Sequence, residues 1–207
     1  AFGQFVLAAH WAWMVDTAGV DLTATDPDEY ELRSRRHLVG LEFVGEVGGV
    51  GFWLEGAYNH MPRDDWSDIE AIGKCWWIES LAGVSYTFPG GFTAMAEYLY
   101  NGRGQNDPAD ISLWQWFAYI EQRMRYLSQH QLAVTLQLPI PQAFTTFGLT
   151  GIATPASPGF VLNPSVQFNW SQHVSVMLYG AISWSRDPDA EFGAVGPGVY
   201  TRFRLSF

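Results

Sequence analysis

Residues 199–207, with the sequence VYTRFRLSF, alternate between two kinds of side chain. The odd-numbered positions carry apolar side chains or threonine, and the even-numbered positions carry polar or amphipathic ones. Successive side chains of a β-strand point to opposite faces of its sheet, so this alternation is typical of a strand with two different faces. The stretch therefore predicts a strand with one face suited to lipid and the other suited to water.

The same alternation recurs upstream in nine further segments. They are residues 5–13, 39–47, 50–59, 78–88, 92–101, 131–140, 144–155, 160–170 and 174–184. A tilted β-strand crosses a bilayer with about 9–11 residues, and these segments are close to that length. No run approaches the ~18 consecutive apolar residues that a transmembrane helix needs. The pattern therefore predicts an all-β chain with about ten strands.

The connections between these segments alternate between short and long. The short ones are residues 48–49, 89–91, 141–143 and 171–173, and the long ones are residues 16–35, 61–73, 103–126 and 185–198, with one short link at 156–159 on the long side. Outer-membrane barrels have short periplasmic turns and longer external loops. The strands of a soluble β-sandwich also alternate between apolar and polar residues, but that fold does not explain why the long loops share one side. We therefore expect residues 1–207 to form one transmembrane antiparallel up-and-down β-barrel in the outer membrane of a Gram-negative bacterium.

Aromatic residues make up 16% of the chain and gather near the ends of the predicted strands. Those near the short connections are Phe88, Phe92, Phe144, Phe168, Trp170 and Phe207, and those near the long connections are Trp11, Trp13, Tyr58, Trp76, Tyr100, Phe160 and Trp184. Membrane barrels carry two such aromatic girdles, one at each interface between membrane and water.

Three stretches resemble segments of known outer-membrane proteins. Residues 199–207 resemble the C-terminal signal of Gram-negative outer-membrane β-barrels, which implies an assembly signal carried by Val199, Thr201, Phe203, Leu205 and Phe207 and read by the barrel assembly machinery. SYTFPGGFTAMAEYLYNGRG (85–104) and the segment from LPIPQAF to YGAIS (138–183) resemble late hairpins of proteobacterial porin-like proteins. The resemblance covers residues 74–207 and implies a barrel of the solute-channel or export type. Because such chains are usually longer, we expect either a small closed barrel or the C-terminal portion of a larger one.

With the apolar positions facing lipid, the other positions line the interior of the barrel. This set of candidate pore-lining residues is Glu42, Glu46, Glu55, Glu79, Glu97, Gln131, Gln137, Asn163, Gln167, Asn169, Arg202 and Arg204. One interpretation is a selective pore in which an acidic wall faces the basic wall of the last strand. The other is a narrow barrel in which glutamates and arginines pair and fill the interior.

One long connection has the spacing of a helix. Residues 111–127 place Leu113, Trp116, Phe117, Ile120, Met124 and Leu127 along one side. This predicts an amphipathic helix in an external loop, acting as an outer-leaflet anchor or a partial plug. The alternative is that the strands extend above the membrane here and the aromatic side chains pack on each other.

Other functional classes find little support in the sequence. The net charge of −10 without a basic patch argues against nucleic acid as a partner. Cys75 is the only cysteine, so the chain has no internal disulfide and no cysteine metal site. His37 and His60 could approach each other near Asp64 and Asp65, but no nucleophile accompanies them. We expect no catalytic residue, metal or cofactor, and hence no enzyme.

The predicted function is passive passage of small hydrophilic solutes through an outer-membrane porin-like channel. The alternative is a narrow, non-conducting barrel whose external loops bind a ligand, a surface polymer or a partner protein. In both cases outer-membrane lipid and lipopolysaccharide surround the barrel.

Overall fold

The computed structural model describes residues 3–20, 31–62, 70–71, 75–120, 125–155, 158–171, 174–193 and 196–205. The chain forms one antiparallel sheet. Its strands are β1 (Gln4–Val20), β2 (Glu31–Val47), β3 (Val50–His60), β4 (Glu70–Ala71), β5 (Trp76–Thr87), β6 (Thr93–Asn101), β7 (His130–Ile140), β8 (Thr145–Thr154), β9 (Gly159–Asn169), β10 (Val174–Ser185) and β11 (Gly198–Leu205). One α-helix, α1 (Leu113–Ile120), lies between β6 and β7.

The strand order is β11-β10-β9-β8-β7-β6-β5-β3-β2-β1-β4, so every long strand pairs with its neighbours in sequence. This confirms the prediction of ten long antiparallel strands in up-and-down order. The two-residue strand β4 comes from the connection between β3 and β5 and pairs with the far end of β1, which the sequence did not predict. Within the described ranges, no pairing joins β1 to β11.

Tight turns connect the strands at one end of the sheet, here called the short-turn edge. Gly48 and Gly49 have φ values of 61° and 82°, which suit the two-residue hairpin between β2 and β3. Between β7 and β8, a 3₁₀ turn over Pro141–Ala143 is followed by Phe144 in the left-handed region. Turns also follow β5 and β9 at this edge, so the short connections lie where the sequence predicted them.

The opposite end, here called the long-loop edge, carries the connections 102–129 and 186–197 and the segment that contains β4. The connection between β1 and β2 was predicted to span residues 16–35. It spans only 21–30, because β1 and β2 remain paired as far as Val20 and Glu31. Backbone hydrogen bonds hold this ladder together, so it continues beyond the apolar alternation that predicted its end.

Helix α1 occupies eight residues within the predicted range 111–127. It begins with a capping box, in which the Gln115 amide N–H donates to Ser112 Oγ and the Ser112 N–H donates to Gln115 Oε1. Residues 121–124 lie outside the described part of the chain. Leu127 is buried but lies beyond the helix.

The strand registers place the two kinds of side chain on opposite faces of the sheet. One row of cross-strand partners shows the apolar face and runs through Leu7, Phe43, Leu54, Ala82, Tyr98, Leu132, Ala153, Phe160 and Trp184. Large side chains on this face are exposed, as in Leu54 at 55% and Ile182 at 54%. Among the described residues, no helix is long and apolar enough to cross a membrane.

The first and last long strands differ from the others because both of their faces are exposed. On β1, Val6 is 62% exposed on the polar face and Leu7 is 75% exposed on the apolar face. On β11, Val199 and Tyr200 are likewise exposed on opposite faces. These are the outermost long strands of the sheet, because only the two-residue strand β4 pairs beyond β1.

Candidate functional site

All twelve candidate pore-lining residues lie on the polar face of the sheet. The set is Glu42, Glu46, Glu55, Glu79, Glu97, Gln131, Gln137, Asn163, Gln167, Asn169, Arg202 and Arg204. The structure brings some of them together, since Glu42 and Glu55 are direct cross-strand partners and Gln167 donates to Asn169 at 2.9 Å. The alternation alone therefore places these side chains on one face.

The two arginines of the last strand do not meet the glutamates. Arg202 and Arg204 pair with Met177 and Ser175 near the short-turn edge, and both are exposed. In the part of the chain that is described, no ion pair joins either arginine to a glutamate. The odd-numbered positions of β11 are in register with the apolar face of the sheet; they are Val199, Thr201, Phe203 and Leu205. Phe207 lies outside the described residues.

A buried cluster at the long-loop edge surrounds Trp77, which is 1% exposed. Arg36 donates from Nε and Nη2 to Asn59 Oδ1 at 2.9 and 2.7 Å, and its guanidinium lies 3.8 Å from Glu79 Oε2. Trp77 Nε1 donates to Glu79 Oε1 at 3.0 Å. The guanidinium carbons of Arg36 and Arg103 lie 4.9 and 4.5 Å from the Trp77 ring centroid, within cation–π range. This cluster joins β2, β3 and β5 to the connection that follows β6.

The connection 102–129 is held on the sheet by hydrogen bonds from buried side chains. Asn101 Oδ1 accepts from the Arg103 N–H at 3.1 Å, and Asn101 Nδ2 donates to the Tyr126 carbonyl at 2.8 Å. Gln115 of α1 is 3% exposed and donates to the Arg103 carbonyl at 3.1 Å. Gly104 packs so closely that a Cβ there would lie 2.5 Å from the Ser128 carbonyl oxygen. The described parts of this connection, residues 102–120 and 125–129, therefore form a compact cover at the long-loop edge.

The connection between β10 and β11 reaches the same place through Glu191, which is 2% exposed. Its carboxylate accepts from the Ser128 N–H at 2.9 Å and from Gln131 Nε2 at 3.2 Å. Gln131 belongs to β7, so Glu191 links the connection after β10 to a strand that is not adjacent to β10 in the sheet. Its neighbours Ala190 and Phe192 are also buried. This contact was not predicted from the sequence, because an acidic residue in a long loop is usually exposed to solvent.

Burial changes the acid–base behaviour of this contact. It raises the pKa of the Glu191 carboxyl above its ordinary value, and the hydrogen bonds from Ser128 and Gln131 oppose part of that rise. The pKa of the Tyr119 hydroxyl on α1 is also raised, mainly by burial and to a lesser extent by the nearby Glu191 carboxylate. The charged form of Glu191 is thus disfavoured in the folded loop.

A cavity of about 400 Å³ lies on the polar face between these loops and the middle of the sheet. Its charged lining consists of His10, Arg36, Glu42, Glu55, Glu79, Arg103 and Arg125. Leu81 and Leu99 form an apolar part of the wall. The sequence interpretation included the three glutamates but missed the arginines. Arg36 could have been found from its even position on β2, whereas Arg103 and Arg125 lie in a connection where alternation carries no information.

The two histidines singled out in the sequence do lie together. His37 and His60 are cross-strand partners on the apolar face, between Trp13 and Trp76. Asp64 and Asp65 lie outside the described residues. Where the chain is described, no group of three or more His, Cys, Asp or Glu residues could hold a metal ion.

Comparisons with protein-family models, characterised proteins and solved structures find no match to this chain.

Proposed function

We propose that this chain forms an outer-membrane β-barrel whose polar face lines a path for small hydrophilic solutes. The observation that carries the proposal is the division of a ten-stranded sheet into a continuous apolar face and a continuous polar face. A water-soluble sheet packs its apolar face against a core. Here that face is exposed in every long strand, as Leu7, Leu41 and Leu178 illustrate. Lipid is the environment that would cover so large an apolar surface.

Aromatic side chains on the apolar face support the same proposal. Near the short-turn edge, the rings of Phe5, Phe43 and Phe52 lie 5.9–6.1 Å apart. Near the long-loop edge, Phe160 stacks on Trp184 at 5.8 Å. Such clusters at both ends match the interfacial girdles of membrane barrels.

The spacing of the two aromatic levels also suits a bilayer. On β5, the apolar-face residues Trp76 and Tyr86 are separated by ten positions, or about 33 Å of strand. At the tilt usual for barrels, that length covers about 25 Å of height, which is the apolar band of an outer-membrane barrel. In the proposed orientation the short-turn edge faces the periplasm and the long loops face outward, among lipopolysaccharide.

Closure of the barrel is part of the proposal. β1 and β11 run antiparallel in a sheet of ten long strands, so direct pairing between them is geometrically allowed. Both strands have exposed faces, and in the described ranges β4 pairs with the outer edge of β1 only at Gly19 and Val20, whereas natural sheets usually protect such edges. Pairing between β1 and β11 would remove both edges at once.

A second candidate function follows from the loops. Ala190, Glu191 and Phe192 are buried over the polar face, and such a cover can close a narrow barrel. In that case the barrel does not conduct, and its external loops bind a ligand, a surface polymer or a partner protein.

Two measurements test these proposals. The folded protein should run faster than the boiled protein on an SDS gel, because a closed barrel resists SDS until it is heated. Reconstituted in planar bilayers, it should give discrete conductance steps. Equal mobility before and after boiling would remove the barrel proposal, and a folded barrel that never conducts would favour the second candidate.

A further inference from the structure

The cavity on the polar face has different chemistry at its two ends. Toward the long-loop edge it is bordered by Arg36, Arg103, Arg125 and Glu79, and toward the middle of the sheet by His10, Glu42 and Glu55. Along β2, Arg36 and Glu42 are six residues apart, or about 20 Å of strand. The arginines and the Glu42–Glu55 pair therefore lie toward different ends of the cavity.

At the acidic end, two carboxylates face each other directly. Glu42 and Glu55 are cross-strand partners, which places their Cβ atoms about 5 Å apart. Like charges in this arrangement destabilise a sheet. In the described part of the chain, neither carboxylate has an ion-pair partner, since Arg36 is directed to Asn59 and Glu79. A cationic group between the two carboxylates would relieve the repulsion.

The wall beside the carboxylates is apolar. Leu81 is the cross-strand partner of Glu55, and Leu99 is the partner of Leu81, so both leucines continue the row that begins with Glu42. Both leucines line the cavity. A carboxylate pair next to two leucines suits a group that combines a positive charge with a short hydrocarbon chain.

We propose that this cavity binds the ammonium group of small aliphatic amines and zwitterions, with the ammonium between Glu42 and Glu55 and the hydrocarbon chain against Leu81 and Leu99. The inference deepens the proposed channel function, on which it rests, by naming the class of solute that the polar path selects. Arg125, which lines the same cavity, offers a guanidinium group to the carboxylate of a zwitterion. A bare metal ion fits less well, because calcium takes 6–8 oxygen ligands and two glutamates supply at most four.

Isothermal titration calorimetry on the folded protein in detergent micelles tests this inference without requiring conduction. The probes are putrescine, its dianionic counterpart succinate and its neutral counterpart butane-1,4-diol. We expect heat of binding with putrescine alone, weakening as salt is added, because added salt screens the attraction between opposite charges. Binding of succinate or the diol with equal affinity would overturn the inference, as would calcium binding in place of putrescine.

Two variants locate the site. Replacing both carboxylates, Glu42→Gln with Glu55→Gln, removes a repulsive pair and should leave folding intact, which the gel-mobility shift verifies. It should weaken putrescine binding about tenfold or more. Asp110→Asn, which removes an exposed carboxylate outside the cavity lining, should leave binding within about twofold of wild type. Equal affinities in the three proteins would overturn the inference. Putrescine binding in a protein that never conducts would instead contradict the channel while leaving the amine site intact.

Discussion

The polar face is built differently at the two edges of the sheet. At the long-loop edge its side chains are buried and hydrogen-bonded, as Asn59, Trp77 and Glu191 show. At the short-turn edge Glu46 and Arg204 are exposed, although they belong to the same alternation. The strands do not cause this difference, because they continue from one edge to the other.

The connections cause it. A two-residue turn such as Gly48–Gly49 contributes no side chain that can fold over the sheet. The connections 102–129 and 186–197 are long enough to cover the long-loop edge and to place Arg103, Arg125 and Glu191 there. In the proposed barrel, the loops restrict the polar path at the outer end, whereas side chains such as Glu46 and Arg204 remain exposed at the periplasmic end.

The largest expected effect comes from removing the centre of the buried cluster. Trp77→Ala should lower the free energy of unfolding by about 3–5 kcal/mol, because the ring is fully buried and contacts two guanidinium groups. Urea unfolding in detergent micelles measures it. The matched control is Trp170→Ala, whose side chain is 73% exposed and whose loss should cost less than about 1 kcal/mol. Equal losses of unfolding free energy in the two variants would contradict the claim that the polar face is packed at the long-loop edge and open at the short-turn edge.

A glycine pair tests how tightly the cover packs. Gly104→Ala should destabilise the protein by about 1–3 kcal/mol, because the new methyl group would lie 2.5 Å from the Ser128 carbonyl oxygen. Gly56→Ala is the control, since nothing lies within 4 Å of the corresponding position on β3. The same unfolding experiment compares them, and a tolerated Gly104→Ala would mean that the cover is loose.

The Glu191 contact should depend on pH. Its pKa is raised in the folded loop, so the contact is fully stabilised below the ordinary carboxyl pKa and loses stability as pH rises through the raised value. Hydrogen exchange of residues 186–193, corrected for intrinsic rates, should therefore become faster relative to the rest of the protein at higher pH. Glu191→Gln should abolish this dependence, because it cannot ionise. A dependence that persists in Glu191→Gln would assign it to another group.

The smallest expected effect is on ion selectivity, and it separates the middle of the polar face from its short-turn edge. In bilayers, Glu42→Gln with Glu55→Gln should lower the cation-to-anion permeability ratio about two- to threefold, because both carboxylates border the cavity. Arg202→Gln with Arg204→Gln should change the ratio less, because these arginines are exposed at the short-turn edge. Reversal potentials in a salt gradient measure both ratios. A larger effect from the arginines would place the selective part of the path at the opposite edge.

Alternation predicted the strands and faces well for a physical reason. The period of two is local, so Glu42 and Glu55 could be assigned to one face from sequence alone. The contacts that polar-face residues make with other groups depend instead on residues that are far apart in sequence. The contact between Glu191 and Gln131 spans sixty residues, and the meeting of Arg36 with Asn59 depends on strand register. The sequence therefore predicted the wall of the proposed path but not the loop residues that narrow it.

The central claim is that one face of the sheet meets lipid and the other meets water. Neighbouring residues of β7 test it directly, because Gln137 lies on the polar face and Leu138, 43% exposed in the isolated chain, lies on the apolar face. Each is changed to cysteine in a Cys75→Ser background, and the protein is reconstituted in lipid vesicles and treated with a charged, water-soluble thiol reagent. Gln137→Cys should react rapidly and Leu138→Cys should be protected by lipid. Equal, rapid labelling at both positions would contradict the account.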